Sequence, residues 1–172
     1  MTLALNVILF QVAWFACVLG AAHGAPWLGA VVAGIVVAWH LTRAARPMPE
    51  AKLVAGAATL GALFETLLVR SGWIRFDADA LLAGMVPYFM VALWAVFATT
   101  LNVSLRWLRP RRALAALLGA VGGPAAYYSG VRLGAIEFTA AVPALAAIAI
   151  GWAMLAPALL GAARRLDGFA QP

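Results

Sequence analysis

The sequence has 172 residues, of which 66% are hydrophobic and only 10% charged, and its mean hydropathy is +0.98. Soluble domains are about 45–50% apolar and about 25% charged, and a water-soluble fold of this size could not bury so much apolar surface. The net charge of +6 is typical of a membrane protein with Lys and Arg in its cytoplasmic loops. It does not indicate nucleic-acid binding, which needs a basic face on a soluble module. We therefore predict an all-α, polytopic transmembrane helical bundle that forms a single domain over residues 1–172.

Apolar stretches of suitable length predict about six transmembrane helices, because a spanning helix needs about 20 mostly apolar residues. In chain order they are residues 3–22, 27 to about 42, about 52–69, 82 or 87 to 105, about 113–131 and about 140–163. Pro124 predicts a kink or a weak point in the fifth helix. The first stretch is interpreted as a retained helix rather than a signal peptide, since residues 1–10 contain no Lys or Arg.

Basic residues are divided unevenly between the two sets of loops. Loops 43–52 and 106–112 and the tail at 164–165 hold nine Lys and Arg residues, whereas the opposite loops hold three, Arg70, Arg75 and Arg132. Short loops rich in Lys and Arg stay in the cytoplasm. Both termini are therefore predicted to face the cytoplasm.

Glu65, in the third helix, is the strongest candidate for a functional residue because an ionisable group in hydrocarbon is costly. Its carboxylate needs a cation, a donor or a proton, and Arg132 at the end of the fifth helix is the expected partner. We predict that these two residues are catalytic or anchor a ligand in a periplasmic pocket with Tyr88 and Tyr127. A charged pair would hold a polar headgroup, and a protonated Glu65 would suit proton transfer. A purely structural pair between helices is the alternative.

The fourth helix carries a small, polar face with Tyr88, Thr99 and Asn102 at helical spacing. Such a face indicates either helix contact or the lining of a substrate site. On the cytoplasmic side, Asn6 and Gln11 of the first helix are expected to face Asn102. The predicted ligand-binding residues are Tyr88, Tyr127, Asn102, Gln11, Asn6 and Thr99.

The fifth helix contains Gly119-x-x-x-Gly123, a motif that favours close packing of membrane helices. The alternative is a helix break at Pro124 that exposes carbonyl groups to a cavity. The sequence has no HExxH, CxxC, GxSxG or phosphate-binding glycine loop. His23 and His40 are predicted to lie on opposite sides of the membrane, so no metal site and no cofactor are expected.

Three blocks of the sequence resemble DUF2878, a family of uncharacterised bacterial integral membrane proteins. They are residues 93–108 (LWAVFATTLNVSLRWL), residues 122–135 (GGPAAYYSGVRLGA) and the opening, Asn6 followed by FQVAWF at 10–15. The positions that carry the resemblance are Asn6, Gln11, Trp14, Thr99, Asn102, Ser104, Arg106, Gly123, Pro124, Tyr127, Gly130 and Arg132. The resemblance implies a multi-pass protein of the bacterial inner membrane without an established activity. It also implies an acidic residue, often Asp, at the position of Glu65.

Three functions remain open from the sequence. The first is a small membrane enzyme, or an enzyme subunit, that binds a lipid or isoprenoid substrate, because polar groups converge in a bundle with almost no soluble mass. The second is a carrier or channel for a small solute, which also needs polar residues within the membrane. The third is a structural or regulatory partner protein. The expected partners are membrane lipids, with a second copy or another membrane protein as alternatives.

Overall fold

Six helices and a small antiparallel sheet make up the structure, a computed structural model that describes residues 2–76 and 84–169. The helices are α1 (Leu3–Ala22), α2 (Pro26–Arg43), α3 (Pro47–Arg70), α4 (Tyr88–Leu101), α5 (Arg112–Arg132) and α6 (Ala141–Arg165), and the strands are β1 (Ile74–Phe76) and β2 (Ile136–Phe138). Within the described residues, five helices are long and apolar enough to cross a membrane. The predicted all-α membrane bundle is therefore confirmed.

α3 begins at Pro47, earlier than the predicted start at Lys52. Proline suits the first position of a helix, where its missing N–H is no loss and its fixed φ is already helical. Glu50 consequently lies in the first turn of α3 and is fully buried. The interpretation of residues 43–52 as a basic loop is wrong, because only residues 44–46 separate α2 from α3.

α4 is the shortest α-helix in the described part of the chain. Of its two predicted starts, residue 82 lies outside the described residues, and the helix begins directly after the second, Pro87. Its 14 residues span about 21 Å at 1.5 Å per residue, against about 30 Å for the hydrocarbon core. α4 is therefore embedded among longer helices.

α4 also ends earlier than predicted, at Leu101 instead of Leu105. Turns and a short 3-10 helix, Arg106–Leu108, then lead to α5. The hydroxyls of Thr99 and Thr100 donate to carbonyl groups three residues back in their own helix. Such bonds compete with regular helical bonding and lie where the helix stops.

The two-stranded sheet was not predicted from the sequence. β1 follows α3 and β2 follows α5, and they pair antiparallel with Arg75 opposite Glu137. The side chains of this pair form an exposed ion pair. The sheet pairs backbone groups of the two segments where α3 and α5 end.

The helices run alternately between two ends of the bundle. We call one the basic end (residues 44–46, 102–111 and 166–169) and the other the sheet end (residues 23–25, 71–76 and 133–140). The amide of Arg46 donates to the carbonyl of Gly168 over 3.0 Å at the basic end. At the sheet end, the amide of Thr139 donates to the carbonyl of Trp73 over 3.1 Å. The alternation matches the division of Lys and Arg between loops.

α4 lies at the centre of the packing, in contact with α1, α2, α3 and α6. α1 also packs closely on α2, and α5 packs closely on α6. A Cβ atom added at Gly119 would lie 2.3 Å from the Trp152 carbonyl oxygen, and one at Gly123 would lie 2.5 Å from the Trp152 ring. The packing function predicted for Gly119-x-x-x-Gly123 is confirmed, and α5 continues as one helix through Pro124.

The orientation in the membrane can be tested by introducing one exposed cysteine at a time, with Ser71→Cys at the sheet end and Ala45→Cys at the basic end. A membrane-impermeant maleimide should label Ser71→Cys in intact cells and Ala45→Cys only after permeabilisation, because the basic end should face the cytoplasm. The native Cys17 is buried and should remain unlabelled. Labelling in the reverse order, or from the same side for both, would contradict the predicted topology.

The close approach of α5 and α6 predicts a difference between two glycines of one helix. Gly119→Ala forces a methyl group into the backbone of α6 and should lower the free energy of unfolding by about 1–3 kcal/mol. Gly122→Ala is the control, because nothing lies within 4 Å of its added Cβ, and alanine should stabilise the helix by about 0.5–1 kcal/mol. Unfolding of both variants in detergent is the measurement. Equal stability would refute this account of the packing.

Candidate functional site

A groove of about 850 Å³ runs along the bundle between α1 and α5, with α4 as its floor. Residues of α6 contribute at its inner side. Among the described helices, α1 and α5 share no extensive contact, and several lining residues on both are exposed. The groove is therefore open sideways, toward the space that lipid would occupy. Its volume falls in the range of about 300–1,000 Å³ that is usual for ligand sites.

The groove exists because small side chains of α5 face large ones of α1. Gly122, Ala125 and Ala126 leave open space on α5, whereas Phe10 and Trp14 of α1 stand on the other side. The floor is the aromatic face of α4 rather than its small, polar face. The groove is consequently lined mostly by apolar and aromatic groups, as expected of a site for an apolar ligand.

Glu65 of α3 lies in the groove wall, fully buried. Its Oε1 accepts a hydrogen bond of 2.9 Å from Nε1 of Trp94 and another from the Tyr127 hydroxyl. Its Oε2 is buried and has no hydrogen-bond partner within residues 2–76 and 84–169. Buried polar atoms are nearly always paired, so the unpaired oxygen makes Glu65 a candidate ligand-binding residue.

Gly61 explains how Trp94 reaches Glu65. A Cβ atom at Gly61 would lie 2.1 Å from the Trp94 ring, so only glycine lets the indole lie directly against α3. Glu65 is one turn further along the same helical face, which brings its carboxyl group to the indole N–H. The Trp94 ring also stacks on Trp152 of α6, with centroids 4.7 Å apart and an interplanar angle of 18°.

Arg132 does not pair with Glu65, which corrects the sequence prediction: no ion pair between them occurs in the described structure. Arg132 is exposed where α5 ends and lines the mouth of the groove. At the end of a helix its charge can stay near polar surroundings. Tyr127, one and a half turns earlier, is at the depth of Glu65 and takes the partner position. Tyr88 is half-buried and does not line this groove.

The polar face of α4 serves contact within the bundle and is not part of the groove lining. Thr99 is fully buried and donates to the carbonyl of Val96. Asn102 is buried at the end of the helix. Of the two interpretations of this face, the structure supports helix contact.

Asn6, Gln11 and Asn102 do not meet, which is a second correction. Asn6 bonds the backbone of the segment around the end of α4, donating to the Thr99 carbonyl over 3.2 Å and accepting from the Ser104 amide over 3.3 Å. Gln11 is exposed at the edge of the groove. The reason is the early end of α4, which turns Asn102 away from α1 and toward α3.

A second polar cluster lies at the basic end, around Glu50. Its Oε2 is 2.9 Å from Nε2 of His40. Its Oε1 accepts hydrogen bonds from Nδ2 of Asn102 and, over 2.8 Å, from the amide of Gly168. Both Glu50 and His40 are buried. Each carboxylate oxygen thus has a partner, and the cluster joins α2, α3, the end of α4 and the tail.

Asp167 in the tail extends this cluster. Its Oδ2 lies 2.9 Å from Arg106 and 2.8 Å from Arg109. Burial acts to raise the pKa of Asp167, but hydrogen bonds from Arg109 and the Phe169 amide and the charges of both arginines outweigh it, and the pKa lies below its ordinary value. The tail is therefore fixed to the basic end by charged hydrogen bonds.

The cluster around Glu50 was not predicted, although one sequence signal could have found it. Prolines at 47 and 49 followed by an acidic residue are typical of the first turn of a helix. A first-turn Glu in an apolar helix needs a buried partner. The contribution of Asp167 had no such signal, because it depends on how the tail folds back.

Within the described residues, no three His, Cys, Asp or Glu side chains are grouped so as to hold a metal ion. At the centre of the groove, the carboxyl group of Glu65 meets the phenol of Tyr127 and the indole of Trp94. These features define a multi-pass α-helical membrane protein with a sideways-open groove and a buried carboxyl group in its wall.

The chain matches the family DUF2878, described as a protein of unknown function, over residues 3–158, and it belongs to that family. The resemblance found in the sequence is confirmed. No curated protein and no solved structure matches the chain.

The ion pairs of Asp167 predict a dependence of stability on pH. Since the pKa of Asp167 is lowered in the folded state, its contribution is fully present above the ordinary pKa of about 3.9 and is lost as the pH falls through the folded-state value. At pH 7, Asp167→Asn should lower the free energy of unfolding by about 1.5–3 kcal/mol. The difference from wild type should stay constant from about pH 8 to 5 and shrink below about pH 4.

Glu137→Gln is the matched control for this experiment, because its ion pair with Arg75 is exposed at the sheet end. Exposed pairs contribute about 0–1 kcal/mol. Glu137→Gln should therefore change the free energy of unfolding little, both at pH 7 and below about pH 4. A loss of stability in Asp167→Asn that persists unchanged at low pH would show that charge is not the cause.

Proposed function

We propose that the protein binds one lipid or isoprenoid chain in the groove between α1 and α5, as a small membrane enzyme or as the lipid-binding subunit of one. The observation that carries the proposal is the combination of an apolar groove of about 850 Å³ with a buried carboxyl group that is only half hydrogen-bonded. An apolar chain would fill the groove. A polar group on that chain would complete the hydrogen bonds of Glu65.

The residues that line the groove favour a lipid chain over a small polar solute as the ligand. Phe10, Trp14 and Phe97 offer apolar and aromatic surface, and Glu65 and Tyr127 place a few polar groups within it. Ligand sites usually combine these two features. The sideways opening gives a lipid a direct route from the bilayer, whereas a carrier needs a route from water on alternate sides.

An enzymatic function draws support from the contact of Glu65 with Tyr127. A carboxyl group and a phenol within hydrogen-bond distance can pass a proton to or from a ligand that reaches them. Arg132 at the groove mouth adds a positive charge that would attract an anionic headgroup. If the protein is a subunit without its own activity, the same groups would orient the bound lipid chain for a catalytic partner subunit.

The proposed location is the bacterial cytoplasmic membrane, with both termini inside. Multi-pass helical bundles that carry most of their Lys and Arg at one end suit that membrane. The family resemblance points in the same direction. The basic end would then lie at the cytoplasmic surface and Glu65 in the outer half of the bilayer.

The proposal predicts that filling the groove removes a bound lipid. Gly122 lines the groove, and nothing lies within 4 Å of a Cβ added there, so Gly122→Phe should occupy the groove without disturbing the bundle. Mass spectrometry of the detergent-purified protein should find about one co-purified lipid molecule per protein in wild type. The amount of bound lipid should be severalfold lower in Gly122→Phe. Both proteins should show the same helix content by circular dichroism, while wild type should unfold at a somewhat higher temperature because the bound lipid stabilises the native state.

Gly34→Phe is the matched control. Gly34 is exposed on α2 outside the groove, and a Cβ there also has nothing within 4 Å. This variant should retain as much lipid as wild type. Equal lipid content in wild type and Gly122→Phe would contradict the proposal. A photo-crosslinker at position 122 that captures a helix of another protein molecule, and no lipid, would also contradict the proposal.

A further inference from the structure

The two oxygens of the Glu65 carboxyl group are used unequally. Oε1 accepts from both Trp94 and Tyr127, while Oε2 has no hydrogen-bond partner in residues 2–76 and 84–169. At the basic end, Glu50 is equally buried, and both of its oxygens are paired. A buried, unpaired oxygen is costly in an apolar environment. Glu65 lines the groove and Glu50 does not, so the unpaired oxygen of Glu65 is the one that a ligand in the groove could pair with.

The position of Glu65 along the groove limits the shape of that ligand. Its partner Tyr127 lies five residues before Arg132, about 7.5 Å along the axis of α5 at 1.5 Å per residue. Toward the basic end, the groove continues to Ala115, about 18 Å from Tyr127 by the same rise. A ligand with its polar group at Glu65 therefore has room for a long apolar chain toward the basic end. The space toward the sheet end is short.

We infer that the ligand is a long-chain or isoprenoid alcohol whose hydroxyl group binds Oε2 of Glu65. The inference rests on the proposed function and names its ligand class. A hydroxyl group is both a donor and an acceptor, so it pairs with Glu65 whether the carboxyl group is ionised or protonated. It is also neutral, so the cost of moving it into the groove is small compared with that of a charged group.

Two other polar groups fit less well. A ligand carboxylate would bring a second negative charge to an ionised Glu65. An ammonium group has donors but no acceptor, so it suits only the ionised form, and its burial is costly. Ethers and esters supply acceptors only, which leaves an ionised Oε2 unpaired.

Competition between closely matched probes tests the inference. Wild-type protein in detergent is offered 1-tetradecanol, methyl tetradecyl ether and tetradecanoate in equal amounts, and native mass spectrometry measures which one is bound. The alcohol should be preferred over the ether on the order of tenfold, the effect of one hydrogen bond to a charged or strongly polar group. Gly122→Phe, which fills the groove, should bind none of the three.

The preference should depend on Glu65. In Glu65→Leu the alcohol and the ether should bind about equally, because the acceptor is gone while the apolar groove remains. If Glu65→Leu does not fold, the comparison of the three probes on wild type still tests whether the ligand is an alcohol. Equal binding of alcohol and ether by wild type, or preference for tetradecanoate, overturns the alcohol assignment and leaves a lipid-binding groove. Failure of wild type to bind any of the three probes overturns the proposed function as well.

Discussion

The carboxyl group of Glu50 joins four segments of the chain at the basic end. It contacts His40 from α2, Asn102 after α4 and the backbone of Gly168 in the tail, and it belongs itself to α3. In a membrane, helices gain little from the hydrophobic effect against one another, so packing and hydrogen bonds decide how they associate. This carboxyl group therefore joins the segments of the basic end, and it ties α3 to the end of α4, the two helices that place Glu65 and Trp94 at the candidate site.

The two buried glutamates of α3 differ in how many of their carboxyl oxygens are hydrogen-bonded. Glu50 is surrounded by donors from three other segments, and replacing any of them would leave a buried group unpaired. Glu65 has its two donors on one oxygen only. A carboxyl group with both oxygens paired favours a structural role, whereas one with an unpaired oxygen beside a groove favours binding. This difference within one helix is the physical basis for assigning the site to Glu65.

The shortness of α4 links the structural cluster to the groove. Because α4 ends at Leu101, the following turn brings Asn102 to Glu50 and lets the tail fold over it. The same helix offers its aromatic face, with Trp94, to the groove. Trp94 also contacts α3 at Gly61, and the helix packs against α2 as well. One short central helix thus divides the bundle into a closed side and a side open to lipid.

The sequence by itself determined the membrane bundle, the alternation of its basic loops, the packing of Gly119 and Gly123, and Glu65 as a candidate functional residue. Hydropathy, charge and small-residue spacing are local properties, and lipid as solvent makes them decisive. Only the tertiary structure decided which partners the polar residues take. Trp94 reaches Glu65 because Gly61 has no side chain, and the tail reaches Glu50 because α4 ends early. Such pairings depend on distances between residues far apart in the chain, and no local pattern encodes them.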